Sequence, residues 1–339
     1  MLAGRLGSGR IIDHLQPKKV LLYGVIFSII AIALYFTITS LWILMLIRFI
    51  HGIAFGFSST ATGTISSRII PENRKGEGIG YYGLSVTLAS AIGPFIGLVF
   101  NNHLGFKSIF AISLLSILIA FVLSIFIKRL PVLNHNLEAK DQPGGMHAYL
   151  QKEALPISLV VILIGVAYSS VLSFLSIYSE KINLVTTSSF FFIVFAIVTF
   201  ITRPFTGKIY DNYGENKVMY PVLLSFTFGL IILGFTHTSM ILLIAAAFIG
   251  FGYGTIVPTA QAIAIQQSPA NKMGLATSTF YIFADFGAGM GPFILGIIIP
   301  FIGYRHLYMA MGMLVIIALI LYYYVHGRMH KNPFNKREY

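Results

Sequence analysis

The sequence predicts an all-α integral membrane protein built as two pseudo-symmetric helical halves, and three observations carry that prediction. The first is composition: of 339 residues 56% are hydrophobic and only 10% charged, with a mean hydropathy of +0.83. A soluble domain carries about 25% charged residues, so this chain has too few polar groups to coat a globule of its size. The second is run length. Crossing a ~30 Å hydrocarbon core takes about 20 helical residues, and apolar stretches of that length recur along the whole chain. The third is an internal repeat at a constant offset of 198 positions.

Ten stretches qualify as spans, at about 20–38, 41–67, 78–100, 108–128, 154–178, 186–207, 217–236, 239–267, 275–300 and 306–326. Residues 1–12 read as the end of an eleventh helix entering a short polar turn. The runs are continuous, whereas strands of a membrane barrel would alternate with period two, so helices are expected. Residues 129–152 hold Pro131, Asn134, Asn136, Pro143, Gly144 and Gly145 without an apolar stripe, the signature of a flexible linker. The expected organisation is an incomplete N-terminal bundle at 1–128, a linker at 129–152, a six-helix half at 153–327 and a tail at 328–339.

A net charge of +12 invites a nucleic-acid reading. The basic residues, however, sit in short segments between apolar runs, never as a continuous stripe, which is the positive-inside pattern of membrane proteins. Seventeen Lys and Arg fall on one set of alternate connections and on the tail, against three on the other set, Lys107, Lys181 and Arg305. The first set, with the C-terminus, is therefore expected to be cytoplasmic. The absence of cysteine excludes disulfides, thiolate metal sites and cysteine nucleophiles. Met1 to Arg5 lack the basic start and apolar core of a cleaved leader.

The repeat pairs Arg5 with Arg203, Gly9 with Gly207, Asp13 with Asp211 and Lys19 with Lys217. At the same offset Gly52 and Gly56 meet Gly250 and Gly254, and Pro71, Asn73, Arg74 and Gly76 meet Pro269, Asn271, Lys272 and Gly274. Gly93-Pro94 then meets Gly291-Pro292, and Gly105 meets Gly303. Matches on Gly, Pro and charged positions are hard to produce by chance in apolar sequence, so two halves of equal orientation are expected. The partner of Glu153 would lie about 45 residues before Met1 by the same offset. On that reading the first helix and most of the second are absent, and a complete chain would hold six helices per half.

The loop at Gly9-Arg10-Ile11-Ile12-Asp13-His14-Leu15-Gln16-Pro17-Lys18-Lys19, and its copy from Gly207 through Asp211 and Gly214 to Lys217, carry a family resemblance. They resemble the Gly-x-x-x-Asp-(Arg/Lys)-x-Gly loop of the major facilitator superfamily, specifically its twelve-helix proton-coupled efflux branch. His14 stands where that pattern has a basic residue and Gln16 where it has glycine. Physically, the glycine allows two helices to approach, the aspartate suits capping of the next helix's N-terminus, and the lysines suit an anionic headgroup surface. The resemblance implies that Gly9, Asp13, Lys18, Arg203, Gly207, Asp211, Gly214 and Lys217 form gating elements that latch the cytoplasmic side.

Two further motifs extend the resemblance. Arg48-Phe49-Ile50-His51-Gly52 places an arginine within hydrocarbon depth, at a cost of at least about 2.5–3.5 kcal/mol unless it faces a polar cavity. Its position is similar to the family's proton-transfer arginine; the other reading is an arginine snorkelling to an interface or holding helices together. His51 is either a relay or a packing residue. Gly80-Tyr81-Tyr82-Gly83 through Gly93-Pro94-Phe95-Ile96-Gly97 resembles the family's antiporter signature, with Ala89 and Leu98 replacing glycines. Small residues at helical spacing favour close backbone contact and Pro94 bends the helix; Gly291-Pro292 is the second copy. The signature implies export.

Asp285, mid-helix between apolar neighbours, suits a proton-coupling or cation-substrate site, or a carboxyl hydrogen-bonded within the bundle. Tyr168, Gln261, Gln266 and Tyr281 are candidates for the cavity wall. No phosphate loop, zinc-helix motif or nucleophile elbow occurs and the nine histidines lack ligand spacing, so neither an enzyme, a metal site nor a cofactor is expected. Energy would come from a proton gradient. The resemblance implies a monomer in the plasma membrane that exports small molecules such as drugs, metallophores or other metabolites and binds no nucleic acid. A facilitator or importer of sugars or metabolites on the same fold, and a non-transporting fragment or partner subunit, are the alternatives.

Overall fold

The computed structural model describes residues 1–13, 15–128, 130 and 149–328, with backbone only at 90, 91, 94, 95, 98, 99, 101 and 102. His14, most of the expected linker and all but Arg328 of the tail lie outside the described residues. The described chain is helical, with no strand among the described residues.

Helices form at every position where apolar run length calls for them. α1 (Leu2–Ile12) is followed by α2 (Pro17–Leu34), α3 (Leu41–Ile69), α4 (Lys75–Leu104) and α5 (Lys107–Phe126). After the linker come α6 (Leu155–Lys181), α7 (Val185–Tyr213), α8 (Asn216–Gly234), α9 (Ser239–Gln266) and α10 (Met273–Tyr322). Pro17 opens α2, a position where its missing N–H is no loss. At 29 residues α3 is about 44 Å long, enough to cross the hydrocarbon core with some tilt.

α10 is two arms rather than one rod. Gly303 has φ 72° and ψ 169°, which breaks the helix. Gly105, its repeat partner, has φ 81° and separates α4 from α5. Only a residue without Cβ adopts this conformation without strain, so both copies turn on a glycine. Among the described residues eight segments are long and apolar enough to cross a membrane by length and composition, one of them Ala270–Gly327, which contains both arms. Large apolar side chains such as Phe49, Phe126, Phe205, Phe293 and Phe301 are exposed, a surface that only lipid or another apolar partner suits.

The repeat is also visible in packing: α2 lies on α3 as α8 lies on α9, and α1 lies on α3 as α7 lies on α9. Contacts divide the chain into two compact units. The first holds Met1–Ile69, Ile92–Ala154 and Gln267–Ile282; the second holds Ile70–Ala91, Leu155–Gln266 and Phe283–Tyr339. Each unit thus borrows from the other sequence half a segment that begins at a repeat-equivalent place, the start of α4 or the start of α10. The end of the linker docks in the first unit, where Arg10 donates to the Tyr149 hydroxyl at 2.9 Å and the Gln151 N–H donates to Thr279 Oγ1 at 2.8 Å.

Candidate functional site: two capped helix starts and two polar clusters

The borrowed segments are held by the two repeat-related aspartates. In the first unit Asp13, just past the last residue of α1, accepts from the backbone N–H groups of Gly274 at 3.0 Å and Leu275 at 2.8 Å. Arg68, in the last turn of α3, donates to the same carboxylate at 2.9 Å. In the second unit Asp211, near the end of α7, accepts from Gly76 at 2.7 Å and Glu77 at 2.9 Å. Free N–H groups and the helix dipole at a helix start make it a ready acceptor of negative charge. Burial pushes the Asp13 carboxyl above its ordinary range, against the pull of the Leu275 N–H and the Arg68 charge.

This corrects the expectation that each aspartate caps the next helix. The N-caps of α2 and α8, Gln16 and Glu215, make no side-chain cap hydrogen bond. Asp13 caps α10 and Asp211 caps α4 instead, because the turns after α1 and α7 lie against those helix starts. Gly9 and Gly207 make the approach possible. A Cβ on Gly9 would overlap Ser278, and one on Gly207 would sit 2.7 Å from the Glu77 Cα. Gly214 has φ 84° and closes α7, its N–H bonding Tyr210 O at 2.9 Å. Lys18, expected at the headgroups, donates its Nζ to the Ile125 carbonyl at 2.5 Å. Lys217 is exposed.

Arg203 is not part of a loop. It is buried within α7, donates to the Gly254 carbonyl at 2.8 Å, and lies against Gly80 and Gly83 of α4. Its repeat partner Arg5 is equally buried, with its guanidinium 4.3 Å from the centre of the Tyr281 ring. Tyr281 occupies the repeat position of Gly83, so both arginines address the same place.

The glycine motif of α4 divides. Gly80 and Gly83 do carry close packing, with Cβ positions 3.0 Å from Arg203 and 2.7 Å from Pro258. At Gly93 and Gly97 nothing lies within 4 Å of a Cβ among the described residues. The Pro94 side chain lies outside the described residues. The second copy is tight: a Cβ on Gly291 would overlap Ser169 of α6, and Pro292 follows inside α10.

The expected cavity residues fall into two groups. Arg48, His51 and Tyr281 belong to the first unit; Asp285, Tyr168, Gln261 and Gln266 belong to the second. Arg48 is exposed, its guanidinium 5.8 Å from the Tyr35 ring, and Tyr35 Oη lies 3.3 Å from His51 Nδ1. Tyr168 is buried and stacked on Tyr253, ring centres 3.5 Å apart and 10° from parallel. Gln261 is buried in α9, while Gln266 accepts from the Tyr210 hydroxyl at 2.5 Å. Arg68 and Tyr253 were not singled out from sequence. Arg68 carried a signal as the arginine closing a span; Tyr253, one of 18 tyrosines, carried none.

A model of the family described as Major Facilitator Superfamily matches residues 1–226 and 157–338. The chain belongs to this superfamily. It is a multi-pass membrane transporter for small molecules and not an enzyme. It is 24% identical over 318 residues to the multidrug resistance protein MdtG of Dickeya zeae, covering 91% of this chain and 77% of that protein. The Salmonella arizonae MdtG is likewise 24% identical, over 309 residues, covering 88% of this chain and 75% of that one. Superfamily structures share the fold. The human organic anion transporter TETRAN superposes with a TM-score of 0.79 at 16% identity, covering 94% of this chain and 80% of its own. The E. coli fucose:proton symporter FucP gives 0.72 at 16% identity, covering 95% and 87%.

Proposed function

We propose that the protein is a proton-coupled exporter of small amphipathic molecules in the plasma membrane, working as a monomer by alternating access between its two sequence halves, 1–128 and 153–327. The observation that carries this reading is the pair of aspartate caps. Each joins the end of one helix to the start of a helix from the other sequence half, through two backbone hydrogen bonds that are made or broken as a set. Such caps suit a latch. They are specific in direction, worth about 1–2 kcal/mol each at an N-terminus, and so can be released at each turn of a cycle. The positive-inside count supports a cytoplasmic side for them and for the C-terminus. Release would open that side to a substrate. Arg48 and Asp285 are the groups assigned to proton coupling, with His51, Tyr281, Tyr168 and Gln261 assigned to the cavity wall. The MdtG relatives, named for multidrug resistance, support drugs or drug-like metabolites as cargo.

The test is efflux from vesicles with an imposed pH gradient. A lipophilic dye should leave against its gradient when protons flow the other way, and reversing the pH gradient should reverse its movement. Asp285→Asn and Arg48→Gln should each abolish the pH-driven component. Dye movement that follows the proton gradient with the same sign would make the protein an importer of the symport type. Movement indifferent to pH would make it a facilitator.

A further inference from the structure

We propose that Arg203 is a positioning residue for transport: it gives the Gly254 carbonyl the hydrogen bond that Pro258 withholds, and so holds α9 in shape where its ladder is broken. The inference rests on the chain being a transporter and is independent of the direction of transport and of the cargo.

Pro258 lies inside α9. A helix interior bonds each carbonyl to the N–H four residues on. Proline has no N–H, so the Gly254 carbonyl loses its donor. The segment concerned, Ser239–Gln266, is long and apolar enough to cross a membrane. Water is not at hand there, and a freed carbonyl has to be served by a neighbouring helix. Arg203 of α7 serves it, its Nη2 donating to Gly254 O at 2.8 Å. One turn earlier along both helices, Thr199 Oγ1 lies 2.9 Å from the Gly250 carbonyl. Gly250, however, keeps the N–H of Gly254 as its helical donor. Thr199 adds to the ladder; Arg203 replaces a missing member of it.

A guanidinium is a costly donor to bury. Arg203 is 2% exposed, and among the described residues its Nε has no hydrogen-bond partner and it forms no ion pair. Its one hydrogen bond there goes to the Gly254 carbonyl. Charge kept inside a membrane helix points to a specific use, and a charged donor makes the stronger bond. The surroundings fit the pair. A Cβ on Gly80 would lie 3.0 Å from Arg203 Cδ and one on Gly83 2.7 Å from Pro258 Cβ, so α4 covers the arginine and the proline together.

The first unit offers a contrast. At the repeat positions of Arg203, Gly254 and Pro258 stand Arg5, Gly56 and Thr60. Thr60 has its N–H, so the Gly56 carbonyl keeps a donor within α3, and the Arg5 guanidinium lies over the Tyr281 ring, 4.3 Å from its centre. The broken ladder belongs to the second unit. Its bearing on transport comes through Gln261, assigned above to the cavity wall, which lies on α9 just past Pro258. Where that side chain points depends on the shape of the helix at the break.

Restoring the amide decides the matter. Full-length protein, Arg203→Met, Pro258→Ala and the two combined are purified into lipid nanodiscs, and hydrogen exchange along α9 is read by mass spectrometry. Arg203→Met should speed exchange of the amides between Gly254 and Gln261 by about tenfold, but by less than about twofold when Pro258→Ala is also present. Dye turnover in vesicles, per folded transporter, should fall about tenfold in Arg203→Met and return in the combined variant. Equal effects of Arg203→Met in both backgrounds overturn the proposal, as does a folded Arg203→Met protein that matches wild type. An exchange pattern with no matching change in turnover makes Arg203 a structural tether and overturns the positioning role. If Arg203→Met alone does not fold, a combined variant that folds supports the proposal, and one that does not, beside a folded Pro258→Ala, overturns it. Failure of Pro258→Ala itself to fold also overturns it, because the restored amide has its acceptor waiting. Where the wild-type protein moves no dye under any pH gradient, the exporter reading falls and the exchange pattern alone decides this one.

Discussion

The two aspartate caps share a backbone geometry and differ in how their charge is balanced. At Asp13 the carboxylate is almost fully buried, and Arg68, equally buried, pairs with it at 2.9 Å. At Asp211 the carboxylate is half-buried, and the repeat position of Arg68 is Gln266, which bonds the Tyr210 hydroxyl instead. Glu77, whose N–H Asp211 accepts, adds a like charge that Arg74 answers by donating to it at 2.9 and 2.6 Å. A buried carboxylate needs a counter-charge at hand, whereas a half-exposed one is served by water and nearby surface groups. The lesson is that the cap proper is the pair of backbone N–H groups, and the arginine is what burial adds to it.

Four single substitutions, one of them also combined with Asp13→Asn, break or sharpen that comparison. The largest effect belongs to Asp13→Ala, which removes the cap and strands a buried guanidinium. The expected loss is about 3–5 kcal/mol, read as a fall in the thermal unfolding midpoint of the detergent-purified protein together with lost efflux. Arg68→Gln, which writes the second unit's arrangement into the first, comes next at about 1–3 kcal/mol. Combined with Asp13→Asn it should cost less than the sum of the two, since both act on one pair. Asp211→Ala should cost only about 1–2 kcal/mol, because no buried charge is left behind; a penalty equal to that of Asp13→Ala would refute the asymmetry. Smallest is Gln266→Arg, expected to change the midpoint by about 1 kcal/mol or less, the new ion pair offsetting the lost Tyr210 bond. Its coupling to Asp211, measured in a double-mutant cycle, should nevertheless be favourable.

Much of this was legible in the chain itself. Span length is dictated by the bilayer and span continuity by the need to satisfy every backbone group, so helices appeared where apolar runs predicted them. The offset that pairs Asp13 with Asp211 also pairs Gly76 with Gly274, and those are the two sides of each cap. What did not follow was which helix start each aspartate meets. Local reasoning pointed to the helix next in sequence, while the actual donors are more than a hundred residues away, a matter of packing alone. Gly93 and Gly97 meet nothing within 4 Å among the described residues, for a small residue permits close approach without compelling it. Tyr253 stayed hidden because one tyrosine among many in apolar helices has no local mark, and only its stack on Tyr168 distinguishes it.

The caps also differ in when they can be made. Asp211 leaves the ribosome after its donors, which lie 135 and 134 residues upstream. Asp13 emerges before its donors, which follow 261 and 262 residues later. Throughout that interval its carboxylate has neither of these N–H groups to meet. Arg68, 55 residues on, arrives long before Gly274 and Leu275 do. Of the partners of this carboxylate, the guanidinium is the one already synthesised during that interval. The second copy, whose partner is always already present, has no such interval to bridge.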